Sequence, residues 1–298
     1  MKKRAWALAV GIAIVAVAAR TEADDKAPAS FEPGSLSAAI AKTCQVTEVG
    51  SFHGYRQTKF KFRDHNAWVV EPKGKVAAGR PWTWTMQWAT AFVPRTPVLH
   101  LLGEGWHHVT IDVFSHHMDE KGIEICKAYQ EFLVKELGFA PKASLVGMSW
   151  GGFFSVRYAN ACPQNVSAIY LDCPLLCFDR FQDCALGSNP KCTNWVRPAA
   201  CANWADDPRM PVNMGEALAK ANLPIYLLYG GVDRVCPPEH NCEPFIKRFQ
   251  AAGGKATIDR RAAYGHHPHG LEASDRRLAD FFVEARAKQA GVQQHVSP

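Results

Sequence analysis

The chain is predicted to fold as an α/β layer structure, a mostly parallel central sheet flanked by helices. Three observations predict it. From residue 106 onward, short runs of β-branched and aromatic residues alternate with stretches of helical period, the pattern of successive βαβ units. Gly147-Met148-Ser149-Trp150-Gly151 separates an apolar run from a helical one, so a sharp strand-to-helix turn is expected there. Two polar loops, at 230–237 and 264–270, each follow a strand candidate, and an open sheet gathers its site residues at such loops.

The elements follow in order. Met1-Lys2-Lys3-Arg4 precedes an apolar run from Ala5 to Ala19, the form of an export signal. Residues 1–23 are expected to be removed, leaving 24–298 as a single domain in a secreted or periplasmic setting. The run is too short for a comfortable membrane span and no later stretch is apolar enough, so no stable membrane insertion is expected. With Lys2, Lys3, Arg4, Arg20 and Glu22 gone, the formal charge falls from +6 to about +3. The remaining basic residues are scattered, which argues against a nucleic-acid partner. Residues 24–37 read as a polar leader.

Phe60-Lys61-Phe62 and Ala67-Trp68-Val69-Val70 read as strands joined by a turn at 63–66. Residues 82–88 alternate large and polar side chains and form a tryptophan-laden strand. Trp106 to Val113 is another. Residues 119–137 change to helical period, with Ile123, Ala128, Phe132, Leu133 and Leu137 on or near one stripe. Ala143–Val146 is the strand before the turn at Ser149, and Gly152–Asn160 the helix after it. Asn165–Asp172, Pro224–Gly230 and Ala256–Arg261 read as strands; 214–221, 245–252 and 273–286 read as helices.

Residues 173–213 break the rhythm, holding five of the ten cysteines, several prolines and no long periodic run. A cap-like excursion over the carboxyl ends of the strands is expected. After export, an even cysteine count predicts disulfides that pin loops, with Cys184/Cys192 and Cys236/Cys242 as close pairs. A soft-metal cluster is disfavoured because the cysteine spacings do not repeat.

The strand–turn–helix placement of Ser149 leaves its hydroxyl clear of the sheet, where a base can reach it. A serine hydroxyl is a poor nucleophile alone and needs a base held by an acid. Asp233 follows one later strand candidate. Tyr264-Gly265-His266-His267-Pro268-His269-Gly270 follows the next. The order is serine, acid, histidine. Asp172, at the end of the strand after the turn, is a rival acid, and His267 and His269 are rival bases. A hydrolytic metal site needs three converging protein ligands and an activating carboxylate. Three histidines inside four residues are not expected to converge unaided, and no metal or cofactor is expected.

The chain resembles the α/β-hydrolase family from about residue 45 to 285. The resemblance is carried by Gly147–Gly152, by Tyr229-Gly230-Gly231-Val232-Asp233-Arg234-Val235-Cys236-Pro237 and by Gly265–Gly270. It also resembles a group of secreted bacterial members sharing a Gly-Arg-Pro-Trp-x-Trp opening, here Gly79–Trp84, and a Gly-His-His-Pro-His ending. Some of these are believed to cleave carbohydrate-linked acyl esters. The resemblance implies Ser149 as nucleophile, Asp233 as acid and His266 as base. It implies oxyanion donors at the amide of Trp150 and at Gln87 or Trp88. The His-Gly-Gly-Gly stretch of lipases is missing. Trp88, Phe92 and Trp106 are candidates to line a pocket for a small-molecule or carbohydrate-linked ester, because exposed tryptophans stack on sugar rings. The expected activity is therefore that of a serine esterase. A serine peptidase on the same scaffold, a secreted binding protein without activity, and metal-dependent hydrolysis through the histidines are the alternatives.

Overall fold

Nine strands join in one sheet in the order β1-β2-β3-β5-β4-β6-β7-β8-β9. They are β1 Gln45–Phe52, β2 Tyr55–Phe62, β3 His65–Val70, β4 Trp82–Thr85, β5 His107–Ile111, β6 Ala143–Met148, β7 Val166–Asp172, β8 Ile225–Gly230 and β9 Ala256–Arg261. The first three form an antiparallel meander whose last strand lies antiparallel to β5; the six from β5 to β9 run parallel. This computed structural model describes residues 31–32, 34–181 and 195–294. The mostly parallel sheet flanked by helices agrees with the α/β architecture expected from the alternation.

The helices are α1 Leu36–Ala41, α2 Val98–Gly103, α3 Glu120–Lys135, α4 Trp150–Ala161, α5 Gly215–Lys220, α6 Cys242–Ala251 and α7 Arg277–Gln294. Strand β7 shows why they occupy both faces. Every one of its residues is buried, and they alternate: Ile169 and Leu171 join the cluster containing α3, α4 and α6, whereas Ala168 and Tyr170 join Leu101, Leu278 and Phe282 from α2 and α7. A strand with period-two side chains and apolar partners on both faces reads as a near-continuous apolar run, here Ala168 to Leu171. Strand β9 sits at the sheet edge, and its exposed positions carry Thr257, Ile258 and Arg260. Charge on an edge discourages pairing with another chain.

Helix α3 begins where Asp119 accepts the Gly122 amide at 2.8 Å, a side-chain cap for an otherwise orphan donor. Its buried stripe runs through Ile125, Cys126, Tyr129, Phe132 and Leu133, rotated from the expected one, with Ile123 only partly covered. Three elements escaped the sequence reading: β1, α1 and α2. Each is short or carries many exposed polar residues, so its pattern is weak.

The described cysteines correct the disulfide expectation. No disulfide bond is found among the described residues, and Cys44, Cys126, Cys162, Cys173, Cys177, Cys201 and Cys242 are free thiols; Cys184 and Cys192 lie outside the described residues. Cys126, Cys162, Cys236 and Cys242 are buried in the main core as small hydrophobes. The fastening expected of disulfides is done by other groups. Asn241 accepts the amides of Leu176 and Cys177 at 2.7 and 3.0 Å, and Asp179 accepts those of Trp204 and Ala205. Phe178 stacks on Phe153 of α4 at 5.0 Å, and Trp195 and Trp204 meet Phe178 edge-on. Within 173–181 and 195–213 the described residues thus pack against α4 through aromatic rings. Residues 1–23 lie outside the described set, and no described helix is long and apolar enough to cross a membrane.

Candidate active site

Strand order reverses direction around β4: β5 lies on one side of it and β6 on the other. The crevice beyond the carboxyl ends of strands at such a point is where open sheets build sites. Ser149 follows β6, and Met86 and Gln87 follow β4, so both flank this crevice.

Ser149 stands at φ 50° and ψ −120°, a conformation that costs a non-glycine residue on the order of 1–3 kcal/mol. Its amide donates to the Asp172 carbonyl at 3.0 Å, and its carbonyl accepts from Gly152 and Leu175, so the strained turn is held on both sides. Gly147 has to be glycine, because a Cβ there would lie 2.6 Å from Ser155 Oγ and 2.8 Å from the Gly151 carbonyl. Helix α4 starts immediately afterwards, and its unpaired N–H groups give the turn a partial positive charge.

The loop after β9 brings His266 to the serine. His266 Nε2 lies 3.0 Å from Ser149 Oγ, and Nδ1 lies 2.7 Å from Asp233 Oδ2. A carboxylate only accepts, so Nδ1 carries the proton and Nε2 is left to accept from the serine hydroxyl. Asp233 is oriented in turn by its other oxygen, which accepts the amides of Val235 and Cys236 at 2.8 and 3.0 Å. All three side chains are at least nine-tenths buried, which removes competing water.

Asp172 does not meet His266. It is fully buried and accepts from His269 Nδ1 at 2.9 Å, from the Gly270 amide at 2.5 Å and from the Tyr170 hydroxyl. This second pair anchors the far end of the same loop. Arg95 completes the anchor by donating to the His269 carbonyl at 2.9 Å. Gly270 is required where the loop passes Arg95, since a Cβ would lie 2.1 Å from the Arg95 carbonyl, and its φ is +79°.

The three histidines of the turn do converge. One ligating atom from each of His266, His267 and His269 lies within 4.8 Å of the others. The sequence gives no reason to expect this, because the cause is remote: Asp233 and Asp172, from the ends of two different strands, draw His266 and His269 inward together.

Of the remaining site candidates, Trp150 opens α4, and Gln87 lies against that first turn, its amide 3.4 Å from where a Gly151 Cβ would be. The Gln87 side chain is buried, and its Nε2 has no partner among the described residues. Trp88 is 45% exposed and packs on Phe114. Phe92 stacks on His267 at 5.6 Å and meets His269 edge-on, so it forms a wall beside the histidine loop. Trp106 does not line the crevice. It precedes β5, at the opposite end of the parallel strands, and is buried with Leu101 and Leu278 under Arg286. Hydrophobic burial against α2 and α7 explains that tryptophan without a substrate.

No protein-family model and no curated protein matches the chain. Solved structures match it in fold. The Pyrococcus horikoshii acylaminoacyl peptidase superposes with a TM-score of 0.53 at 14% identity, over 87% of this chain and 43% of that one. The Porphyromonas gingivalis dipeptidyl peptidase 4 does so with 0.53 at 12%, over 83% of this chain and 35% of that one. The acetyl xylan esterase from Paenibacillus sp. R4 gives 0.54 at 16%, over 86% of this chain and 92% of that one. The chain therefore spans less than half the length of these peptidases and nearly all of the esterase. At such identities the likeness is one of architecture, and the architecture shared by these peptidases and esterases is the α/β-hydrolase fold.

Proposed function

We propose that the chain is a serine hydrolase working through a covalent acyl-enzyme, with Ser149 as nucleophile, His266 as general base and Asp233 as its orienting acid. The observation that carries this reading is the unbroken chain from Ser149 Oγ through His266 to Asp233, at 3.0 and 2.7 Å. His266 takes the hydroxyl proton as Ser149 attacks a carbonyl carbon. The oxyanion is held by the main-chain amides of Trp150 and Gln87 and by the amino-terminal end of α4. His266 then protonates the leaving group, and water activated by the same imidazole releases the acid.

Peptide or acyl-amide bonds are the substrates we favour, in place of the carboxylic esters suggested by the sequence alone. Support comes from fold neighbours that include an aminopeptidase, acylaminoacyl peptidases and a dipeptidyl peptidase. One observation favours the ester reading: the acetyl xylan esterase is matched over 92% of its length, the acylaminoacyl peptidase over 43%. The amino-terminal basic and apolar segment supports a secreted or periplasmic setting for either activity.

A panel of N-acyl dipeptides, aminoacyl anilides, acetyl esters and feruloyl esters separates the two substrates. Amide turnover at a kcat/KM above that for acetyl esters is expected; the reverse order returns the chain to the esterases. Ser149→Ala should lower the rate on every substrate by about a thousandfold or more, several kcal/mol of transition-state stabilisation. Undiminished hydrolysis by that variant, or no labelling of the wild-type chain by a serine-directed phosphonate, sinks the proposal.

A further inference from the structure

Two carboxylate-backed imidazoles and an exposed third one meet in the 266–269 turn, and we propose that they bind a borderline divalent cation such as Zn2+, which switches the hydrolase off. The inhibitory consequence rests on the Ser149–His266 reading; the binding itself does not.

The geometry comes first. The ring centroids of His266, His267 and His269 are 4.8–5.0 Å apart, and one ligating atom of each falls within 4.8 Å of the others. With metal–nitrogen bonds of about 2.0–2.1 Å, two nitrogens on a tetrahedral zinc lie roughly 3.4 Å apart. Closing the difference takes a shift of an ångström or so. His267 is the exposed member, and Phe92 stacks on its ring at 5.6 Å.

The chemistry of the surroundings is the second argument. A histidine that ligates zinc nearly always gives its other N–H to a carboxylate or carbonyl, which fixes the tautomer and strengthens the ligand. Catalysis by one triad needs that arrangement once. Here it occurs twice, at His266 with Asp233 and at His269 with Asp172, 2.7 and 2.9 Å. The two buried carboxylates thus stand behind the His266 and His269 rings. Imidazole donors select zinc, copper or nickel over magnesium and calcium, which prefer oxygen.

Binding forms three coordinate bonds, from Nε2 of His266, Nε2 of His269 and a ring nitrogen of His267, with water in the fourth position. The hydrogen bond from Ser149 Oγ to His266 Nε2 breaks, and the hydroxyl keeps its proton. No imidazole loses a proton and nothing is oxidised. Ser149 is left without a base.

Calorimetric titration of Zn2+ into the full Ser149→Ala chain tests binding apart from activity. One equivalent is expected to bind. Adding His267→Asn, or separately Asp172→Asn, should weaken binding at least tenfold. His116→Asn, in a different histidine group beside His65, should leave it unchanged. With Ser149 intact, Zn2+ should inhibit hydrolysis, EDTA should restore it, and His267→Asn should keep the basal rate while needing at least tenfold more zinc. Equal affinity with and without His267, loss of binding in His116→Asn, or no binding at all overturns the site. Zinc binding that depends on His267, in a chain whose Ser149→Ala form still hydrolyses at full rate, leaves the cation site standing and overturns the nucleophile assignment instead.

Discussion

Two histidine–aspartate pairs lie side by side at the carboxyl end of this sheet, their rings 5.0 Å apart, and they end on different atoms. Each carboxylate is buried and accepts three hydrogen bonds. Asp233 takes His266 and two main-chain amides; Asp172 takes His269, one amide and the Tyr170 hydroxyl. Beyond the imidazole they diverge. His266 continues to Ser149 Oγ at 3.0 Å, whereas the His269 ring packs on the edge of Phe92. A buried His–Asp pair is thus not in itself a catalytic feature. What stands at the second ring nitrogen decides whether it moves a proton or pins a loop.

Exchanging each carboxylate for its amide is the sharpest way to break this comparison. Asp233→Asn should lower kcat about 10³- to 10⁴-fold, because an amide no longer enforces the Nδ1–H tautomer. Asp172→Asn should lower it by less than about tenfold, measured on the same substrate in single turnovers. Comparable losses in the two variants would make the pairs one functional unit. Stability should not distinguish them. Removing either buried, fully bonded carboxylate with alanine should cost about 3–5 kcal/mol in urea unfolding, since its donors are left unpaired.

Two further histidines sharpen the contrast from the other side. His107 and His108 on β5 are buried without a carboxylate. Burial, with Arg80 adding to it, pulls His107 down to about 4, and burial pulls His108 down to about 3. The unfolded chain, with histidines near 6.5, binds these protons while the folded chain does not. Stability should therefore fall as pH drops from about 6.5 toward 4, by up to roughly 1.4 kcal/mol per pH unit for each group. Denaturant titrations at pH 7, 6, 5 and 4 measure the slope, and a His108→Asn chain should show a shallower one. A slope unchanged in that variant assigns the acid sensitivity elsewhere. The smallest effect is expected at Gln87→Ala, which keeps the main-chain amide: kcat should fall less than tenfold. A larger fall would make the buried carboxamide, whose Nε2 has no partner among the described residues, a donor to the substrate.

Much of this was legible in the chain because it is local. The turn at Ser149 announces itself by glycines on both sides of a serine between a strand and a helix, and the geometry there explains the first of them through Ser155 and Gly151. The parallel strands β6 to β8 are buried on both faces and read as continuous apolar runs. Trp106 misled because an aromatic residue reads the same in a cleft and in a core. The cysteines misled because count and compartment say nothing of distance. Asn241, which fastens residues 176–177 across separations of 65 and 64 positions, has no local signature at all.

The sequence by itself determined the alternation of elements, the elbow serine and the order of serine, acid and histidine, since each depends on neighbours a few residues apart. Only the tertiary structure decided which aspartate serves which histidine, that three imidazoles gather at one point, and that no disulfide joins the described cysteines. Those outcomes depend on where strands β7, β8 and β9 end relative to one another, and strand ends are set by the packing of the whole sheet.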